Sequence, residues 1–500
     1  MDRPLARRIL LIAFVLGVAA EILFDGPGTG INVPLLVAGT LVGGWLVRRR
    51  GRALDPLDAW LPVTALVLAA FVAVRADPFL AVLDATVAAM FTGASLAAFS
   101  GVAVTRRSVS VVVAIGLLVT AQTGAGMLGV MRDARTPRSA DAPPRRMPAW
   151  IGPLGRGLVL AIPLVLIFAV LFASADPIFR RGLDDVLGLR IDLGELPGRV
   201  LFIVAVTWLM GGLLRVAASG IPEVERASLG AAAASRPLVG GSVLGTAEAL
   251  VILVGVDLVF GLFVGLQVAY LFGGLDTIVA VGMTYSDYAR RGYFELVAAA
   301  GLAGGLLVAL EYAVGRRSRP YVALGIVLVG LTVVVLVSAA ARLQLYQDAY
   351  GWTELRLYVA VSIAAMALTL VILAIALAVD RTRWVGHAMV VIGVVALVGL
   401  NVMAPAAFVA ARNVERAIDP SLVPADGWVG LDLDYLRQLP DDAVPVLVDA
   451  LPLLPDPDAF LVRRHLERRA AALAGDPALS SPAAWNLGRE QARAALERLP

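Results

Sequence analysis

The chain has 500 residues, of which 59% are apolar and 16% are charged, and its mean hydropathy is +0.84. Soluble domains carry nearer a quarter charged residues, and a run of about 18 to 20 apolar residues is long enough to cross a bilayer. The composition therefore excludes a soluble globular protein and predicts an all-α polytopic integral membrane protein. A net charge of +3 argues against nucleic acid as a partner, two histidines argue against a histidine-based metal centre, and the lack of cysteine excludes disulfides.

Twelve apolar segments follow one another along the first four-fifths of the chain. The predicted spans are residues 9–24, 32–47, 57–74, 79–104, 109–131, 154–173, 200–216, 244–272, 293–314, 321–341, 355–379 and 385–410. The charged start before residue 9 resembles a signal peptide, but no Ala-x-Ala cleavage site follows it, so we predict an uncleaved first span with a cytoplasmic N-terminus.

Arginine-rich loops assign sides to the spans, because cytoplasmic loops carry an excess of basic residues. The basic loops near the two ends of the membrane region conflict if all twelve segments cross. Segment 109–131 contains Thr120, Gln122 and several glycines, which suits a re-entrant or buried helix. We therefore predict eleven spans with the C-terminus outside, or twelve if residues 109–131 also cross.

The character of the chain changes after residue 410. Residues 411–500 carry more carboxylates than arginines and show short apolar periodicities separated by prolines. We predict two domains: a transmembrane helical domain, residues 1–410, and an extracytoplasmic helical tail, residues 411–500.

Two polar stretches, residues 276–295 and 342–358, stand out between the apolar segments and both fall on the outer side in this topology. We predict that they lie close together and form one site. On helices, their Arg and Tyr side chains form strips suited to a phosphate or carboxylate headgroup. The alternatives are an internally neutralised interfacial helix for the first stretch and a loop tethered to the tail for the second. The candidate binding residues are Tyr285, Asp287, Tyr288, Arg290, Arg291, Glu295, Arg342, Tyr346, Tyr350, Glu354 and Arg356.

Three motifs resemble one family. They are the run Tyr285-Ser-Asp-Tyr-Ala-Arg-Arg-Gly-Tyr-Phe-Glu-Leu296, the two pieces Arg342-Leu-Gln-Leu-Tyr346 and Tyr350-Gly-Trp-Thr-Glu-Leu-Arg-Leu-Tyr358, and Asn413-Val-Glu-Arg416 with the Leu433-Asp-Tyr-Leu436 and Asp442-Ala-Val-Pro445 that follow. The chain thereby resembles the bacterial membrane proteins grouped as domain of unknown function 4173, with its sister group 4153. The resemblance implies a multi-span bacterial membrane protein, and we predict that it lies in the inner membrane. The activity of that family is unassigned, so the resemblance carries over no catalytic residue.

Polar residues inside the predicted spans are the remaining candidates, because an ionisable group at membrane depth normally has a partner or a role. Asp257 is the sharpest, with Gln267 on the same span and Asn401 on the last one. Asp257 is either a proton or ion relay or a structural group bonded to Asn401 or Arg342.

The favoured function is an outward-facing site for an anionic headgroup, from a lipid or a small molecule, in transport or envelope maintenance. No cofactor, metal or catalytic residue is assigned, and membrane lipids are the expected partners. One alternative is a lipid-linked group transferase, similar to membrane glycosyltransferases, that uses Glu21, Asp25 or Asp84 as its base. The other is a membrane scaffold or signalling protein that acts through its tail.

Overall fold

A computed structural model describes residues 1–48, 54–134, 196–219, 244–272, 293–314, 318–425 and 427–499. Every secondary-structure element assigned in these residues is a helix. The one β contact among them is an isolated bridge between Leu244 and Val314. Among the described helices, nine are long and apolar enough to cross a membrane. The chain is thus an all-α polytopic membrane protein, as its composition predicts.

Eleven helices cover the described parts of the first 403 residues. In chain order they are α1 (Arg3–Phe24), α2 (Asn32–Val47), α3 (Trp60–Val74), α4 (Pro78–Phe99), α5 (Val109–Ala134), α6 (Leu196–Ser219), α7 (Thr246–Phe272), α8 (Tyr293–Ala313), α9 (Arg319–Tyr350), α10 (Glu354–Ala378) and α11 (Val385–Met403). The predicted span 154–173 lies outside the described residues. The segment predicted to be re-entrant is the unbroken helix α5, whose 26 residues are sufficient to cross.

Two of these helices end differently from the hydropathy prediction. Helix α9 continues through the second polar stretch to Tyr350, so residues 342–350 form the last turns of a 32-residue helix and not a loop. The predicted span 385–410 is wrong as a single helix, because it breaks at Ala404. Ala404 has a left-handed backbone, and Pro405, which has no N–H to donate, begins a new helix, α12 (Pro405–Ile418).

The tail is helical, as its apolar periodicity predicts. After α12 come α13 (Leu433–Leu436), α14 (Val444–Ala450), α15 (Asp456–Ala474), α16 (Pro477–Ser480) and α17 (Leu487–Leu496). Helix α12 is amphipathic, with Ala406, Val409 and Ala410 buried on one face.

The chain divides into two compact units. The first comprises Met1–Ala73, Ala85–Glu225 and Pro477–Trp485, and the second comprises Val74–Asp84, Arg226–Asp476 and Asn486–Pro500. In the first unit α1 packs on α2, α5 and α6. Gly17 permits this packing, because a Cβ at that position would lie 2.1 Å from Oγ1 of Thr207.

The second unit packs its membrane helices through leucine. Leu253 of α7, Leu307 of α8 and Leu328 of α9 are almost fully buried in one apolar core. The opposite face of α7 leaves large apolar side chains exposed, among them Val251 and Leu258. Such surface is costly in water and matches a lipid environment, so its position agrees with a membrane span.

Candidate functional site

The turn between α9 and α10 is the local feature that assembles the site. Helix α9 ends at Tyr350, and Gly351 follows it with φ of +85° and ψ of 174°, a backbone conformation that residues other than glycine rarely adopt. Thr353 then caps α10 by accepting a hydrogen bond from the Arg356 N–H. The chain thereby reverses within three residues and brings the last turns of α9 beside the first turn of α10.

Helix α12 holds this turn in place. The Asn413 amide accepts from the Trp352 N–H at 2.8 Å and donates to the Trp352 carbonyl at 2.9 Å. Arg416 donates to the Asp348 carbonyl at 2.8 Å and to the Ala349 carbonyl at 3.2 Å. The carbonyls at the end of a helix lack partners within the helix and carry partial negative charge, so a guanidinium there satisfies both needs. Asn413 and Arg416, which belong to the third motif of the sequence, therefore stabilise the turn within the second motif.

Four residues of the second polar stretch form what we call the Arg–Tyr group: Arg342, Tyr346, Tyr350 and Arg356. The rings of Tyr346 and Tyr350 lie 5.1 Å apart, and Arg342 precedes Tyr346 by one turn of α9. The Arg356 guanidinium lies 4.0 Å from the centre of the Tyr346 ring and also donates to the Gly351 carbonyl. The structure thus brings two arginines and two phenols to one end of a membrane-length helix.

A second group, which we call the acidic cluster, consists of Asp77, Glu354 and Asp442. Asp77 caps α4 by accepting from the Phe79 N–H at 2.8 Å, and its other oxygen accepts from the Tyr358 hydroxyl at 2.8 Å. The Glu354 carboxyl interacts with Asp77. Asp77 and Asp442 are both more than nine-tenths buried.

Asp442 connects the tail to the residues just before α4. Its carboxylate accepts from the Ala76 N–H at 2.8 Å and lies 3.7 Å from the Arg75 guanidinium. Asn486 adds a further contact, since its side-chain nitrogen donates to the Arg75 carbonyl at 2.7 Å. Burial raises the pKa of the Asp442 carboxyl, against the opposing effects of the Ala76 N–H and of Arg75.

A tyrosine from the tail closes the acidic cluster. The Tyr435 hydroxyl accepts from the Glu354 N–H at 2.7 Å, and burial raises the pKa of Tyr435 to about 12. The phenol therefore stays protonated at neutral pH and can donate a hydrogen bond of its own. Beside the cluster, the tail also holds a bidentate ion pair, in which Arg469 donates to both oxygens of Asp441.

Several predicted site residues are not part of either group. Tyr285, Asp287, Tyr288, Arg290 and Arg291 lie outside the described residues, so the predicted proximity of the two polar stretches stays a prediction. Glu295 is exposed on the first turn of α8.

The polar residues inside the spans have separate surroundings. Asp257 is 9% exposed, and among the described residues neither of its oxygens has a hydrogen-bond partner. Gln267 accepts from the Ser338 hydroxyl at 3.3 Å. The predicted alternative partner of Asp257, Asn401, instead donates to Asp84 at 2.9 Å.

The three carboxylates of the transferase alternative are all engaged. Arg199 forms ion pairs with both Glu21 and Asp25 in the first unit. Asp84 is fully buried and bound to Asn401. No group of three or more His, Cys, Asp or Glu in the described part of the chain is placed to hold a metal ion.

Sequence reasoning missed Asp77 and the role of Asp442. The pair Asp77-Pro78 carries a local signal, because Asp before Pro is typical of a helix start. Asp442 lies in the short turn before α14, where a carboxylate is typical of a helix start. Neither local pattern indicates that the two carboxylates meet Glu354.

The comparisons with known proteins give one family. The family model described as "Domain of unknown function (DUF4153)" matches residues 63–450. This is the sister group of the resemblance drawn from the motifs, and assignment to the 4173 group itself is not confirmed. No curated protein and no solved structure matches the chain.

Proposed function

The chain belongs to the family described as "Domain of unknown function (DUF4153)", and because that description assigns no activity, we propose a function from the geometry of the site. The chain is a multi-pass membrane protein. We propose that it resides in a bacterial inner membrane with the tail outside, and that the Arg–Tyr group binds the anionic headgroup of a lipid or small molecule. Transport or envelope maintenance is the role that such a site would serve.

The position of Arg356 carries the proposal. Within the described residues, its guanidinium contacts a ring and a backbone carbonyl but no carboxylate. A guanidinium has five N–H donors in a planar fork that fits the oxygens of a phosphate or carboxylate. Stacking on Tyr346 fixes the plane of that fork and leaves donors for a ligand.

The surroundings of Arg356 also suit a headgroup. Tyr350 is partly exposed and adds a hydroxyl, and Arg342 adds a second positive charge below Tyr346. The group occupies the end of a helix that is long enough to cross the membrane. The ends of such helices lie at the membrane surface, where the phosphates of the lipids also lie. Arg290 and Arg291 of the first polar stretch are proposed to approach the same ligand.

Binding of phosphatidylglycerol tests the proposal. The full chain is placed in nanodiscs of zwitterionic lipid, and a fluorescent phosphatidylglycerol is titrated into wild type and into the variant Arg356→Gln. Loss of a charge-assisted hydrogen bond is worth about 1.5–3 kcal/mol, so the affinity should fall roughly 10- to 100-fold. Free glycerol phosphate as a competitor distinguishes a soluble ligand from a lipid.

Arg412→Gln is the matched control. Arg412 also stacks on an aromatic ring, Phe408, but it lies on α12 and pairs with Glu415. This control should bind like wild type. Equal affinities for wild type, Arg356→Gln and Arg412→Gln would rule out the Arg–Tyr group as the headgroup site.

The two alternatives need different observations. A lipid-linked transferase needs a carboxylate that can reach the acceptor substrate. In the described structure Glu21 and Asp25 are paired with Arg199, and Asp84 is fully buried. A scaffold acting through the tail predicts that tail variants, and not Arg356→Gln, abolish the phenotype of the protein.

A further inference from the structure

The pair formed by Asp84 and Asn401 includes no member of the two polar groups described above. Asp84 belongs to α4 and Asn401 to α11, and both side chains are fully buried within membrane-length helices. The Asn401 side-chain nitrogen donates to Oδ1 of Asp84 at 2.9 Å and to the Leu397 carbonyl at 3.1 Å. Two acceptors around one atom of the amide fix that atom as the nitrogen, because an oxygen there would have no donor.

The same pair contains two oxygens without a partner. Among the described residues, neither Oδ2 of Asp84 nor Oδ1 of Asn401 receives a hydrogen bond. A buried acceptor without a donor is costly, and an ionised carboxylate in this position has the further cost of a charge in a low-dielectric setting. The two oxygens without a donor thus belong to the same carboxyl and amide groups that one hydrogen bond already joins.

A single proton removes both deficits. A neutral carboxylic acid carries an O–H donor, and a carboxamide oxygen is an acceptor, so the two planar groups can form a reciprocal pair with one N–H···O and one O–H···O bond. We propose that Asp84 and Asn401 form a proton-binding site within the membrane-spanning part of the chain, with Asp84 held as the neutral acid. Uptake forms one O–H bond at Oδ2 of Asp84, and release returns the proton to water, with no other covalent bond changed.

Asp58 is a buried carboxylate with the opposite arrangement of donors. It is buried to the same extent, but its two oxygens accept from the Val104 N–H at 3.0 Å and the Thr105 N–H at 2.7 Å. Those backbone donors satisfy both oxygens of Asp58, whereas Asp84 has a single donor beside an unmatched acceptor.

Two charged residues near the pair influence the effect of deprotonating Asp84. Asp77 precedes Asp84 by two turns of α4 and acts on it electrostatically. Arg75 donates through Nε to the backbone carbonyl of Asn401 at 2.6 Å, and so acts on the main chain of α11. Deprotonation would leave Oδ2 and the Asn401 oxygen as two unmatched acceptors in one buried pair. The contact between Asp84 and Asn401 is therefore expected to be proton-dependent.

Infrared spectroscopy of the full chain in nanodiscs tests this site. Wild type at neutral pH should show the carbonyl band of a protonated carboxylic acid, and that band should shift in D₂O. The variant Asp84→Asn should lose the band, whereas Asp58→Asn should keep it. An unchanged band in Asp84→Asn, or no such band in wild type, would overturn the proposal.

A second variant covers the case in which Asp84→Asn does not fold. Asn401→Leu keeps the acid but removes both partners of the reciprocal pair, so the band should shift to the frequency of an acid with weaker hydrogen bonds. A band at the same frequency in wild type and in Asn401→Leu would show that the acid does not bond to Asn401, and would equally overturn the site.

Discussion

The contact between Asp442 and the residues before α4 yields the most direct prediction. The substitution Asp442→Ala removes the acceptor of the Ala76 N–H and the carboxylate nearest to the Arg75 guanidinium, while it leaves the surrounding helices intact. The contact from Asn486 to the Arg75 carbonyl remains. The variant therefore isolates one carboxylate of the acidic cluster.

The magnitude follows from what is left unpaired. A buried donor without an acceptor costs about 1–3 kcal/mol, and losing the ion-pair partner of Arg75 adds to that. Arg75 keeps a part of its contact with water, which limits the second contribution. We expect the tail contact to weaken by about 2 kcal/mol, which corresponds to a roughly 30-fold larger opening equilibrium, since each 1.4 kcal/mol is a factor of ten.

Hydrogen exchange measures this quantity at the contact itself. Mass spectrometry of the full chain in nanodiscs should show faster exchange in the peptide that contains Ala76. Asp442→Asn should retain protection, because the amide oxygen still accepts from that N–H. Asp434→Ala is the matched control, since Asp434 forms an exposed tail ion pair with Arg437 and should change stability by less than about 0.5 kcal/mol.

If Asp442→Ala exchanges in this peptide no faster than Asp434→Ala does, then the Ala76 N–H is not held by Asp442, and the tail contact depends on Asn486 or on apolar packing.

Three further predictions concern pH, the turn and the topology. Because burial raises the pKa of Asp442 above its ordinary value of 3.8, the stability that protonation of Asp442 contributes is complete below that value and is lost as pH rises through the folded-state pKa. Raising the pH from 4 to 8 should thus destabilise wild type more than Asp442→Asn, and equal slopes in thermal unfolding would contradict this. Gly351→Ala should destabilise the chain by about 1–3 kcal/mol, because φ is +85° there, whereas Gly330→Ala in the open middle of α9 should be neutral in the same assay. A cysteine at Ser480 should react with an impermeant thiol reagent outside the cell and one at Thr382 should not; the reverse pattern would invert the proposed topology.

Hydropathy predicts the membrane helices well, because their length and apolar content are set by the bilayer and not by particular contacts. The predicted span 355–379 differs by one residue at each end from α10, Glu354–Ala378. The break at Ala404 could also have been read from the sequence, since Pro405 interrupts the apolar run. Hydropathy alone ignored it because Ala404 and Pro405 do not make the segment polar.

The candidate site was predictable only where its residues are neighbours in the chain. The helical spacing of Arg342, Tyr346 and Tyr350 indicates one face, and the structure gives that face. The acidic cluster joins positions 77, 354 and 442, and no spacing rule links residues that far apart. Their proximity depends on the turn at Gly351 and on the docking of the tail, which are tertiary events.

Asp257 has either a structural role or a role as a proton or ion relay, and the structure helps to distinguish the two. The structural interpretation requires a hydrogen-bond partner, and one predicted partner, Asn401, donates to Asp84 instead. Among the described residues both oxygens of Asp257 lack a partner. A carboxyl group in the middle of α7 without a partner lowers the stability of that helix in the membrane.

The substitution Asp257→Leu is therefore expected to keep or raise stability, because leucine replaces a group that costs about 2.5–3.5 kcal/mol at the centre of a span on insertion scales. Asn401→Leu is the comparison, and it should lose about 1–3 kcal/mol because it strips a donor from Asp84 and from the Leu397 carbonyl. Thermal unfolding in detergent and abundance in the membrane measure both. If Asp257→Leu loses as much stability as Asn401→Leu, then Asp257 has a structural partner. The observation that supports the relay interpretation, a buried carboxyl group without a partner, would then no longer hold. If Asp257→Leu is stable, Asp257→Asn decides the role: a relay requires a titrating oxygen, so Asn should abolish function even though it has nearly the same shape as Asp.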